Sequence, residues 1–238
     1  MVKLSKRLQT IADLVPEGLT VADVGTDHGY IPIWLVSSGR SPGAVAMDVN
    51  EGPLLRARTH IHAEGLDACI QTRLSDGVQQ LLPGEAACVI IAGMGGGLVQ
   101  KILKEGARQL EDVSCLVLQP QSEVSGVRSY LREHGYKIRR EDMVVEDGKY
   151  YPMMLAVPQK KETKTDVSHM LLEDAFGPLL LRAHHPVLEQ WLLREYEICK
   201  KILVGLPDTE HNQIRRKEIL NRQQQAGEAL CLFYGREI

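Results

Sequence analysis

Between residues 20 and 158 the chain repeats one pattern: a short, almost unbroken apolar run, a turn, and then a stretch with helical spacing. The apolar runs are Val21–Val24, Ala44–Val49, Ile70–Leu74, Cys88–Ala92 and Cys115–Leu118. The helical stretches are Ile31–Ser38, Glu51–Glu64, Gly97–Leu110 and Glu123–His134. Strands that are apolar on both alternating sides have no face for water, so they belong in a parallel sheet covered by helices on both faces. After "REHGYKIRRED" the helices stop. Two further strands, Lys137–Val145 and Tyr151–Val157, are joined by Glu146-Asp147-Gly148-Lys149, a turn that makes them an antiparallel edge hairpin. The expected fold is α/β, with a seven-stranded, mostly parallel sheet.

The segment "VPQKKETKTD" (Val157–Asp166) interrupts this pattern as a polar linker. Beyond it only helical spacing remains. Pro186 opens a helix to about Leu206, "GLPDTEHNQ" turns the chain with Asp208 or Thr209 as N-cap, and a second helix runs to about Phe233. Leu188, Trp191, Leu192, Glu195, Ile198, Ile202 and Leu203 on the first helix, with Ile214, Ile219, Leu220 and Leu230 on the second, predict a weak coiled-coil-like hairpin. The expected domains are therefore residues 1–160, α/β, and residues 161–238, α-helical.

Composition narrows the class. With 44% hydrophobic and 25% charged residues the chain reads as a soluble globular protein. It contains no run of the roughly 18 apolar residues that a membrane span needs, so no membrane partner is expected. The N-terminal "MVKLSKRLQTIADLVPEG" reads as an amphipathic helix instead of a secretion signal. Five cysteines without CxxC spacing imply reduced, buried thiols and a cytoplasmic location. Residues 1–158 hold 16 basic and 19 acidic side chains, whereas residues 159–238 hold 12 of each, the better balance for a polyanion. There, Arg215-Arg216-Lys217 with Lys200, Lys201 and Arg194 form a candidate basic strip. No metal is expected: His60 and His62 are two apart on a helix, and neither they nor His184-His185 have a supporting ligand cluster.

The chemistry concentrates in "VADVGTDHGY", where a strand ends at Gly25 and a helix begins past Gly29. This is the start of a Rossmann-like nucleotide site, but Asp27 stands where G-x-G-x-x-G has its second glycine. A carboxylate there repels a pyrophosphate and so disfavours NAD or FAD. S-adenosylmethionine carries no phosphate; its sulfonium and ammonium groups suit Asp23 or Asp27, and Gly25 permits close approach. Asp48, ending the second strand, is placed for ribose hydroxyls. Asp76, ending the third, is placed for an adenine amine, with Gly77 against the ring. The fourth strand runs into "IIAGMGGGL", whose glycines precede a helix and raise the question of an anion-binding loop.

"DVGTDHGY", "AGMGGG" and the fifth-strand end "LQPQ" together resemble the bacterial tRNA (adenine-22, N1)-methyltransferases, a class I methyltransferase family in which a helical domain follows the catalytic one. The resemblance covers nearly the whole chain. It implies S-adenosylmethionine as cofactor, tRNA as substrate, and N1 of an adenine as methyl acceptor. It implies that Gly25, Asp27, His28, Asp48, Asp76, Gly77 and Gly93 surround the cofactor, and that Tyr30 and the Met94–Gly95 loop lie near the target base. Direct displacement at the methyl group needs alignment more than a strong base, yet the adenine amine still needs a proton acceptor. Asp27, a carbonyl near Gly93, and the amide of Gln119 or Gln121 are the candidates, Asp27 first. Asp27, Tyr30, Met94 and Gln119 are thus the expected catalytic residues, in a monomer. A methyltransferase of the same fold acting on protein or a small molecule, and a non-catalytic RNA-binding relic, are the alternatives.

Overall fold

A computed structural model describes residues 2–159, 169–207 and 209–238. The described chain forms two compact units, Met1–Thr165 and Asp166–Ile238. The linker expected at Val157–Asp166, the domain boundary expected at 160 and the N-cap expected at Asp208 fall wholly or partly outside the described residues.

The first unit holds seven strands: β1 Val21–Val24, β2 Ala44–Asp48, β3 Ile70–Leu74, β4 Cys88–Gly95, β5 Cys115–Ser122, β6 Tyr136–Glu146 and β7 Lys149–Pro158. They form one sheet in the order β3-β2-β1-β4-β5-β7-β6. The first five are parallel, and β7 lies antiparallel to both β5 and β6. At the β6–β7 hairpin Asp147 and Gly148 both take positive φ, 49° and 71°, as a tight turn matched to sheet twist requires. Five helices cover the sheet: α1 Lys6–Leu14, α2 Tyr30–Ser37, α3 Glu51–Ala63, α4 Gly96–Glu105 and α5 Val124–Glu133.

Strand alternation divides the core into two layers. Val21, Ala46, Ile90 and Val117 pack with Ile11, Leu14, Ile33, Leu35 and Ile61 from α1, α2 and α3. Val24, Met47, Ile91 and Leu118 pack with Val99, Leu103, Val127 and Leu131 from α4 and α5. By the same alternation Asp23 follows Val21, and Gln119 follows Val117, toward the α1–α3 layer. The register Val21↔Ala44 and Val21↔Cys88 brings the C-terminal ends of β1, β2 and β4 to one edge. That edge, where the strand order reverses between β1 and β4, is where open α/β sheets bind ligands.

The second unit contains α6 Met170–Phe176, α7 Pro178–Arg182, α8 Pro186–Gly205 and α9 Gln213–Tyr234. Its long hairpin is real, but its seam differs from the expected stripe. Ile214 is 76% exposed and Leu220 45%, while Leu188, Leu192, Cys199, Ile219, Ala226, Ala229 and Leu230 are buried. Small residues let the helices approach closely: a Cβ on Gly227 would lie 3.3 Å from the Tyr196 ring. Glu195 sits in the seam and pairs with Arg222, which places an ion pair where the apolar pattern thins. Thr209 precedes a single 3-10 turn, Glu210–Asn212, and its side chain makes no capping bond. The cysteines are all free, but Cys69 and Cys231 are exposed instead of buried. No described helix is long and apolar enough to cross a membrane.

Arg128 of α5 donates through Nε to Glu141 Oε1 of β6 at 2.9 Å, with both side chains almost fully buried. Removing Glu141 takes a buried, charge-assisted bond away from Arg128 in the core. Glu141→Ala should therefore lower the unfolding free energy by about 3–5 kcal/mol in urea titration. The double variant Arg128→Met, Glu141→Leu should recover most of that loss.

Candidate cofactor and acceptor site

Three left-handed residues, Gly25 (φ 72°), Asp27 (φ 45°) and Gly29 (φ 72°), turn the chain from β1 over the sheet edge into α2. Gly25 N and Thr26 N both donate to Met47 O, at 2.8 and 2.9 Å, which pins the turn to β2. A Cβ at Gly25 would meet only the Met94 Cε methyl, a flexible side-chain end that can move aside, so the positive φ is what calls for glycine here.

Beneath the turn lies Asp23, 4% exposed. Thr26 Oγ1 donates to its Oδ2 at 2.6 Å. Burial pushes the Asp23 carboxyl up to about 6, the Thr26 bond partly offsets this, and the nearby charge of Asp48 adds to it. Asp48 is 8% exposed, and its Oδ1 accepts from Asn50 N at 2.9 Å. Among the described residues no cation pairs with Asp23.

Asp27 behaves differently. Its side chain is 56% exposed and pairs with Arg56 of α3 at 2.5 Å, with His28 Nε2 3.5 Å away. The sequence assigned the loop's phosphate-repelling charge to Asp27. In the structure Arg56 answers that charge, whereas the buried Asp23 and its neighbour Asp48 have no cationic partner among the described residues.

His28 and Tyr30 stack with ring centroids 5.1 Å apart, and His60 of α3 joins them at 5.6 and 5.2 Å. His60 Nδ1 hydrogen-bonds His28 O at 2.9 Å, fixing the loop backbone. His28 Nδ1 is buried with no hydrogen-bond partner among the described residues. Sequence reasoning weighed His60 only as a metal ligand with His62 and passed over this role. Sequence carried no signal for it, because it depends on α3 packing on the turn: a Cβ on Gly29 would lie 3.2 Å from Ala57 Cβ, and His60 is three residues further along the same helix face.

On the β4 side Gly93 (φ 78°) is exposed and Met94 covers Gly25. Gln119 is fully buried, its Oε1 accepting from Arg7 Nη1 at 2.9 Å and its Nε2 donating to Pro120 O at 3.2 Å. Both ends of the amide are thus engaged inside the protein, so Gln119 supports Arg7 instead of offering an acceptor to the crevice. Arg7, on the N-terminal helix, was not singled out from sequence.

The glycine-rich turn into α4 is not an anion site. Gly97 N already donates to Glu123 Oε2 at 2.9 Å, and a Cβ on Gly96 would press to 2.5 Å from Ser122 O. The glycines admit the β5–α5 backbone.

At the far end, Asp76 is exposed beside Gly77 (φ 58°), whose added Cβ would lie 3.1 Å from Ile102. Asp76, Gly77 and Leu98 line one depression. Val49 and Leu74, which end or follow β2 and β3, are 58% and 50% exposed, an apolar margin for a flat ring. Among the described residues no group of His, Cys, Asp and Glu is arranged to hold a metal ion. In the second unit Lys201, Arg215 and Lys217 are exposed, whereas Arg216 is bound to the Leu203 and Leu206 carbonyls and Lys200 pairs with Glu197.

Residues 4–154 match the family model of a methyltransferase domain. The chain is 33% identical over 225 residues to the Bacillus subtilis tRNA (adenine(22)-N(1))-methyltransferase, covering 93% of this chain and 94% of that protein. A Streptococcus pneumoniae protein solved in complex with S-adenosyl-L-methionine superposes with TM-score 0.84 at 32% identity, covering 96% of this chain and 100% of that one. Mycoplasma capricolum TrmK, in complex with S-adenosyl-homocysteine, superposes with TM-score 0.83 at 28% identity, covering 97% and 99%.

Because the Asp23 carboxyl rises from 3.8 to about 6 on folding, its ionisation opposes the folded state above about pH 6, and that cost fades as pH falls toward 4. Asp23→Asn should raise the unfolding free energy near neutral pH by up to about 3 kcal/mol, with the gain shrinking between about pH 6 and pH 4. Chemical denaturation across that range checks it; a pH-independent difference would contradict the assignment.

Proposed function

Because the chain belongs to the tRNA (adenine(22)-N(1))-methyltransferase family, we propose that it transfers a methyl group from S-adenosylmethionine to N1 of an adenine in tRNA, adenine 22 by its family. The observation that carries this is the full-length similarity to that enzyme, joined to a crevice whose buried acids suit a cationic cofactor.

The residues present fit S-adenosylmethionine. Asp23, buried without a cation, answers the ammonium group, and Gly25 lets the backbone close on it. Asp48 accepts the ribose hydroxyls. Asp76 takes the adenine amine, with Gly77, Val49 and Leu74 against the ring. When bound, the cofactor supplies a sulfonium methyl group for direct displacement. The chain's own contribution is alignment: Gly93 and Met94 border the methyl end, and the cluster of His28, Tyr30 and His60 offers a platform for an unstacked base. Asp27, exposed and held by Arg56 beside that platform, is the acceptor for the adenine amine proton. Gln119 acts from within, through Arg7. The α/β unit does the chemistry, and the helical unit helps hold tRNA through Lys201, Arg215 and Lys217. One chain is the working unit, in the cytoplasm, where its free thiols stay reduced.

Labelled S-adenosylmethionine incubated with unmodified total tRNA should yield 1-methyladenosine; label in protein only, or nowhere, would contradict the assignment. In the same assay Tyr30→Ala should lose about tenfold or more of turnover, the scale of one base stack. Tyr30→Phe should retain most of it, and both should bind cofactor as the wild type does.

A further inference from the structure

Arg7 lies in the first turn of α1, and its guanidinium is fixed at the sheet edge. Nη1 donates to Gln119 Oε1 at 2.9 Å, and the guanidinium carbon stands 5.5 Å from the centroid of the Tyr151 ring. Nη1 and Gln121 Nε2 each lie 3.8 Å from where a Gly93 Cβ would be. The start of the helix is itself anchored: Glu146 of β6 accepts from Arg7 N and from Ser5 Oγ, both at 3.1 Å. Gln119 is buried and its Nε2 is bound to Pro120 O, so its oxygen faces Arg7 in one orientation.

The charge is what stands out. Arg56, Arg73 and Arg128 in the same unit each pair with a carboxylate. Arg7 pairs with none among the described residues; its partners are a neutral amide and an aromatic ring. An ordered, half-buried guanidinium whose charge is unanswered is a receptor for an anion. The chemistry at Gly93 selects which one. A base methylated at N1 is cationic before it loses a proton, so a guanidinium set against the base would oppose the reaction. A phosphate oxygen flanking that base is attracted instead, and Gly93, exposed and without a side chain, leaves room for it.

We propose that Arg7, held by Gln119 and Tyr151, binds a backbone phosphate beside the target adenine and so positions that nucleotide over the Gly93–Met94 turn. Arg7 is then a substrate-binding residue, and Gln119 and Tyr151 are positioning residues that act through it. The assignment rests on the tRNA methyltransferase activity proposed above.

The test compares the full-length wild type with Arg7→Gln and Arg7→Lys. Steady-state methylation of unmodified tRNA is measured over a series of salt concentrations, and cofactor binding is measured separately by calorimetry. Arg7→Gln should raise the tRNA KM about tenfold or more, as loss of one charge-assisted contact does. The slope of log KM against log salt should fall by about 0.7–0.9. Arg7→Lys should keep the wild-type slope, and both variants should bind cofactor within about twofold of wild type, because the proposed contact of Arg7 is with the substrate phosphate and not with the cofactor. An unchanged KM and slope in Arg7→Gln, beside an active wild type, would overturn the role of Arg7 alone. So would equal loss of cofactor affinity and thermal stability in both variants with the slope unaltered, which marks a purely structural arginine. A wild type that methylates no tRNA would overturn the function itself.

Discussion

A carboxyl group buried at the end of the central strand organises the first unit. Asp23 is surrounded by the sheet, tied to Thr26, and close enough to Asp48 for the two charges to repel. A buried acid resists ionisation unless something compensates its charge, and nothing cationic in the described protein does so. The turn above it is left-handed at Gly25, Asp27 and Gly29 and carries the chain from β1 over the sheet edge. The site is therefore selective by what it lacks internally. A pyrophosphate would add negative charge to a place that already has too much, whereas an ammonium group relieves it.

The acceptor half follows from the same parallel register. β4 ends beside β1, so Met94 rests on Gly25 and Gly93 lies at the mouth of the crevice. β5 ends beside β4, and alternation turns Gln119 toward the layer that carries α1. The N-terminal helix thereby places a guanidinium at the sheet edge although Arg7 is 112 residues from its partner in sequence. On the function proposed above, cofactor chemistry gathers at β1, β2 and β3, and substrate chemistry at β4, β5 and α1, on either side of the point where strand order reverses.

Much of this was legible from the chain. Continuous apolar runs such as Cys88–Ala92 and Cys115–Leu118 identify buried parallel strands, because water has no face to wet. Asp147-Gly148 identifies the hairpin, because both residues must take positive φ. The acids at the ends of β1, β2 and β3 could be named because topology alone brings strand ends together. What sequence could not show was how side chains pair across that distance. Arg56 pairs with Asp27, Glu123 fills the α4 N-terminus whose glycines raised the question of an anion site, and Gln119 turns inward to Arg7. His60 joins a ring cluster because α3 packs on the Gly29 turn. In the helical hairpin the expected apolar stripe misplaced Ile214 and Leu220, since Ala226, Gly227 and Ala229 make the seam through closeness instead of size. Each of these depends on long-range packing, which periodicity does not record.

The central claim is that the Asp23 carboxyl, raised by burial, is the group that answers a cationic cofactor. Cofactor binding measured by titration calorimetry at about pH 6, in buffers of different ionisation enthalpy, addresses it directly. Near its pKa of about 6 Asp23 is partly protonated, and an arriving ammonium group lowers that pKa. Binding should then release up to about half a proton, and Asp23→Asn should abolish the release. Binding that releases no proton at this pH, or that releases as much in Asp23→Asn as in the wild type, would contradict the account.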